Sequence, residues 1–182
     1  MTRLKGLLVS FKTSLILVAI LALLGSYIFF FQNKKKPEVQ EKASKMWSIQ
    51  EEEIDRIEIR LTKKGQNTAF IRDAEGNWHF DDGEKSAVDV KRWNGIPLLV
   101  SGPASKRLIA EKVDDLSAYG LQLPQMEIIM ATQNQGNIRV LVGDKTPNEM
   151  HYYVKLSEAD PVYTVDHNWT EVLERLVTEP PK

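Results

Sequence analysis

Hydrophobic positions follow three different periods along this chain, and each period predicts a different kind of element. The first is no period at all. Thr13 to Phe31 is an unbroken run of nineteen uncharged residues, interrupted only by Gly25-Ser26, and at a rise of about 1.5 Å per residue a helix of that length spans the ~30 Å hydrocarbon core of a bilayer. Tyr27 sits where a headgroup-level aromatic belongs. The same run has two other readings, a cleaved signal peptide and a buried soluble helix. Against cleavage, the run exceeds the usual ~7–15 apolar residues and ends in aromatics and Lys34, Lys35 and Lys36, where a small-x-small site is needed. The expected organisation is a basic flank over 1–12, a transmembrane helix over 13–32 and a polar tether over 33–45.

The second period is two. Ile57, Ile59 and Leu61 alternate with Arg56, Glu58 and Arg60, as the two faces of a half-buried strand require. Lys64-Gly65-Gln66-Asn67 supplies turn chemistry before a strand at Thr68–Arg72, and Asp73-Ala74-Glu75-Gly76-Asn77 turns the chain again into Trp78-His79-Phe80. Further strands are expected at Met126–Ala131, Ile138–Val142, His151–Leu156 and Pro161–Val165.

The third period is helical. Val90, Trp93, Ile96 and Leu99 or Val100 share a face over Ala87–Val100, with Pro97 kinking or ending the regular part. Trp169, Val172, Leu173 and Leu176 share a face over Asn168–Val177, with Asn168 as N-cap. Strands followed by a helix thus occur twice, offset by roughly 70–80 residues. The expected fold class is α+β: two related β-meander-plus-helix halves, 46–103 and 104–182, following one N-terminal transmembrane helix.

Charge sharpens this division. The chain carries 24 basic and 25 acidic residues. Six of the basic residues and none of the acids lie in 1–36, a net of +6, so the remainder holds 18 against 25, a net of −7. An acidic body is repelled by phosphate backbones, so no nucleic-acid partner is expected. With no cysteine, disulfides, thiolate metal sites and cysteine nucleophiles are excluded.

The most distinctive text is Leu116-Ser117-Ala118-Tyr119-Gly120-Leu121 with Pro124, then Val142-Gly143-Asp144-Lys145-Thr146-Pro147, then Tyr152-Tyr153-Val154 and Val162-Tyr163-Thr164-Val165. In that order these segments resemble the bacterial DUF4340 family, over roughly Ile54 to Val177. The resemblance implies a single N-terminal membrane helix and, for some members, genes beside transport-system components. It implies no activity and no catalytic residue. It also bears on orientation. Arg3, Lys5 and Lys12 precede the helix and three to five basic residues follow it, which slightly favours a cytoplasmic body, although long C-terminal domains translocate despite such charges. The resemblance tips the expectation to an extracytoplasmic body on the cell membrane.

Reactive constellations are weak. Gly143-Asp144-Lys145-Thr146-Pro147 lacks phosphate-loop spacing and reads as a strand-connecting turn in which Gly143 takes a special backbone angle. His79, His151 and His167 have no metal-ligand spacing, and Glu51-Glu52-Glu53, Asp81-Asp82 and Asp114-Asp115 read as solvated surface. Trp47, Trp78, Trp93 and Trp169 read as core. No catalytic residue, metal or cofactor is expected. The expected function is an anchored accessory or scaffold domain binding a protein of the envelope or of a membrane complex. The alternative is a ligand-binding module of a transport system, with Tyr119, Asp144, Tyr152, Tyr153 and Tyr163 as the candidate ligand or partner surface. An enzyme ranks third.

Overall fold

A computed structural model describes residues 46–103, 105 and 107–182, together with Ser26. The chain divides into two units, Met1–Lys42 and Ala43–Lys182, and every described strand belongs to the second. Among the described residues no helix is long and apolar enough to cross a membrane. The expected flank and tether lie outside the described residues, as does the expected span but for Ser26.

The period-two segments become strands of one sheet. In chain order they are β1 (Ile54–Leu61), β2 (Gln66–Arg72), β3 (Trp78–Phe80), β4 (Arg107–Ala110), β5 (Met126–Thr132), β6 (Gly136–Lys145), β7 (His151–Leu156) and β8 (Val162–Asp166). They form an eight-stranded sheet in the order β3-β2-β1-β5-β6-β7-β8-β4, every pair antiparallel. The meanders β1-β2-β3 and β5-β6-β7-β8 therefore meet along β1 and β5, third and fourth in the order. The architecture is α+β and mostly antiparallel sheet.

Register assigns each residue to a face. Ile57 pairs with Met130, Ile59 with Ile128 and Leu61 with Met126, so all six share the face that Phe70 and Phe80 extend across β2 and β3. Ile57, Ile59, Phe70, Ile128 and Met130 are fully buried there, and each such side chain contributes about 1.5–3 kcal/mol of transfer free energy.

Three helices cover this face: α1 (Val90–Trp93), α2 (Ile96–Ser101) and α3 (His167–Thr178). The single helix expected over Ala87–Val100 is two short ones, and the break is not at Pro97. Gly95 adopts φ 83°, a left-handed angle that glycine takes without a Cβ clash. Pro97 instead stands in the first turn of α2, where its missing N–H has no helical partner to lose. Trp93, Ile96 and Val100 are buried, while Val90, expected on the same face, is 76% exposed at the start of α1. The indoles of Trp47 and Trp169 donate to the Val100 and Leu99 carbonyls at 2.8 and 3.0 Å, oxygens that a helix end leaves without intrahelical donors. Trp47, Trp93 and Trp169 are buried and Trp78 packs on the core. In α3 the N-cap is Asp166, not Asn168: its carboxylate accepts from the Asn168 amide at 3.1 Å. Val172 is 39% exposed, and Thr170 and Val177 join Trp169, Leu173 and Leu176 in the buried stripe.

The opposite face of β1 departs from simple alternation. Glu58 points away from Ile57 and Ile59, yet it is only 6% exposed. Arg56 Nη1 donates to Glu58 Oε2 at 2.7 Å and Arg60 Nε donates to Oε1, while Arg56 Nε reaches Asp81 at 2.8 Å. A carboxylate this buried is tolerated because two guanidiniums satisfy it. The hydrogen bond from Arg60 holds the Glu58 carboxyl below the usual carboxylate range, with Arg56 adding to the effect and burial opposing it. A lowered folded pKa stabilises the fold above the unfolded carboxyl's titration range, and that contribution disappears as pH falls through the folded value. Glu58→Gln should lower stability near neutral pH by about 1–3 kcal/mol and flatten the acid limb of the pH–stability curve. Urea unfolding of both forms between about pH 3 and pH 7 measures this.

Candidate functional site

Between β4 and β5 the chain makes a long connection, 111–125, containing a short 3-10 turn at Ser117–Tyr119. The connection packs against β6 through two glycines. Gly120 has φ 65°, which reverses the chain, and a Cβ there would lie 2.4 Å from the Asp144 carboxyl carbon. Gly143 does not occupy a turn and has no positive φ, contrary to expectation. It lies within β6, at the irregularity between Val142 and Lys145, and a Cβ there would come 2.1 Å from the Tyr119 carbonyl oxygen. Its glycine is demanded by close approach of another backbone. The Gln125 amide secures the junction by donating to the Gly143 carbonyl at 2.8 Å, and Leu121 is buried at 2% exposure beside it. The Tyr-Gly-Leu and Gly-Asp-Lys segments, 23 positions apart at their glycines, are thus two sides of one packing contact.

The connection brings Tyr119 edge-on to Tyr153, ring centroids 4.9 Å apart. Tyr153 opens into a cleft of about 570 Å³. Its floor is one row of the sheet: Tyr153 pairs with Thr164, and Thr164 pairs with Arg107. His151 flanks the row two residues along β7, Ile109 flanks it on β4, and the β6–β7 loop contributes Thr146, Pro147 and Asn148 as a wall. That loop is tightly bonded. Thr146 N donates to the His151 carbonyl at 2.9 Å and Thr146 Oγ1 to Asn148 Oδ1 at 2.6 Å. Asn148 Oδ1 also accepts from the Met150 amide at 3.2 Å. The Arg107 guanidinium has no ion-pair or side-chain hydrogen-bond partner among the described residues.

The five residues expected to form one surface divide between the faces of the sheet. Tyr119 and Tyr153 adjoin the cleft. Tyr152, next to Tyr153 in a strand, necessarily points the other way; it is buried, stacked on the His167 ring at 5.7 Å with Lys145 Nζ 5.7 Å from its centroid. Tyr163 packs against the main core. Asp144 is exposed and pairs with Lys63 at 3.3 Å. His151 and His167 likewise serve different faces, and among the described residues no group of three His, Asp or Glu side chains is placed to hold a metal. The acidic runs mostly bond locally. Hydrogen bonds from Ser86 and Ser117 hold the Asp82 and Asp115 carboxyls below their ordinary range, and one from His79 does the same for Asp73. Arg107, Ile109 and Thr164 were not among the expected site residues. A four-residue strand such as β4 carries too little alternation to be seen, whereas the two-residue period could have separated Tyr152 from Tyr153.

Gly143→Ala forces a methyl group into the Tyr119 carbonyl. It should destabilise the fold by about 3 kcal/mol, while Gly136→Ala, where φ is 70° but no atom lies within 4 Å, should cost only about 1 kcal/mol. Chemical denaturation of the two variants distinguishes close approach from backbone strain.

Comparison with curated proteins and with solved structures finds no match to this chain. A family model does match, over residues 100–179, a narrower stretch than the Ile54–Val177 region of expected resemblance. It runs from the end of α2 through α3, and so includes β4, the glycine contact and the whole cleft. The match supports assigning this stretch to the family described as Domain of unknown function (DUF4340).

Proposed function

We propose that this chain is a membrane-anchored accessory domain, held on the extracytoplasmic side by the helix at 13–32, whose β-rich body docks a protein of the envelope or of a membrane complex. The anchor reading rests on the uncharged run Thr13–Phe31. Within the body the two meanders, β1-β2-β3 with α1 and α2, and β5-β6-β7-β8 with α3, are two related halves disposed about the β1–β5 pair.

The observation that carries the docking reading is the edge strand β4. It ends the sheet and presents Leu108 at 43% exposure. Such an edge accepts an extended segment of a partner as a further strand. A second reading, a ligand-binding module serving a transport system, is favoured by the cleft beside the same strand, which has an apolar body and a few convergent polar groups.

Full-length protein gently solubilised from native membranes should retain a defined partner. Leu108→Lys, which places a charge on the free edge, should reduce its recovery about tenfold without altering the melting temperature. A wild-type chain that is monomeric and partner-free, or a variant that retains its partner, overturns the docking reading. For orientation, a C-terminal alkaline phosphatase fusion should be active; activity of a cytoplasm-dependent reporter at the same position overturns the extracytoplasmic placement.

A further inference from the structure

The cleft is rich in donors on a body whose net charge is negative. None of the eight residues lining it is acidic, although the chain beyond residue 36 carries a net of −7. Arg107 projects a guanidinium with no partner among the described residues. Asn148 has its Oδ1 occupied by Thr146 and Met150, which leaves its amide N–H groups to donate. The Tyr153 hydroxyl and the His151 ring add further donor capacity. Asp166, cross-strand from His151, is the nearest carboxylate in the register, and it is engaged in capping α3. Ile109, Pro147 and the Tyr153 ring supply apolar walls.

We propose that this cleft is a carboxylate-binding site, with Arg107 as the charge partner and Asn148 and Tyr153 as orienting donors. A planar guanidinium pairs a carboxylate through two parallel N–H bonds. One permanent cation balances one negative charge, which suits a carboxylate better than a phosphate dianion, and the apolar walls suit the carbon skeleton attached to it. The carboxylate belongs to a small organic acid or to a peptide C-terminus. The proposal rests on the ligand-binding reading of the cleft and names its chemistry.

The test uses the full-length chain in nanodiscs of neutral phosphatidylcholine, with saturation-transfer NMR and competition. The probes are succinate, an N-acetylated alanine tripeptide with a free carboxylate, its C-terminal amide, and inorganic phosphate. Succinate or the free-acid peptide should bind, and the amide and phosphate should bind at least about tenfold more weakly. Tighter binding of the peptide identifies a polypeptide terminus as the source, and tighter binding of succinate a small acid. Arg107→Gln should weaken the better carboxylate about tenfold or more, Arg107→Lys should fall between it and wild type because charge remains but the fork is lost, and Lys145→Gln, on the other face beside Tyr152, should change nothing. Thermal melts of each variant confirm that the fold is retained. Equal binding of acid and amide, preference for phosphate, or an unchanged Arg107→Gln overturns the carboxylate assignment while leaving the cleft a ligand site. Absence of binding by every probe overturns the assignment, and silence towards a library of neutral fragments as well removes the ligand-binding reading itself.

Discussion

The structure depends on the pairing of β1 with β5. These strands stand some seventy residues apart in the chain, and their register sets Ile57 against Met130, Ile59 against Ile128 and Leu61 against Met126. Slipping that register by one residue would put the three side chains of one strand on the face opposite to the three of the other and break up the helix-covered core. Each meander is local and closes through short turns, but neither has a covered face without the other. The helices follow from this. α3 comes from the end of the second meander and lies against β1 and β2 of the first as well as β7 and β8 of its own, and its Trp169 is bonded to α2. The sheet and its helical cover are therefore one cooperative unit.

A second constraint acts at the other end of the sheet. The 111–125 connection joins β4, at the edge, to β5, near the middle, so it must travel past the strands that lie between them. It is held where backbone meets backbone at Gly143. This contact places Tyr119 against Tyr153, whose side chain lines the cleft. The glycines of the distinctive text thus serve folding, whereas Thr146, Pro147, Tyr153 and Thr164 of the same text line the cleft together with Arg107, Ile109, Asn148 and His151, which lie outside it.

Much of the secondary structure was legible because its causes are local. The alternation at Ile57–Leu61, the turn residues at Asp73–Asn77 and the apolar stripe at Trp169–Leu176 each act within a few residues. The departures from local pattern have local causes too. Gly95 broke the first helix where Pro97 was expected to, since proline is harmless in a first turn. Asp166 displaced Asn168 as cap, since two capping residues stood within one turn of each other and the strand's end decided between them.

What the chain order alone settles is therefore most of the elements, the α+β class, the charge asymmetry between 1–36 and the remainder, and the resemblance to the DUF4340 family that the match over 100–179 supports. Tertiary structure alone decides which of these elements meet. It joins both meanders in one sheet, recruits the four residues of β4 to the edge, buries Glu58 between two arginines, and places Arg107, Thr164 and Tyr153 in one row. The reason is physical: periodicity fixes the face a side chain takes within its own strand, whereas its neighbours across the sheet depend on pairings between segments far apart in the chain.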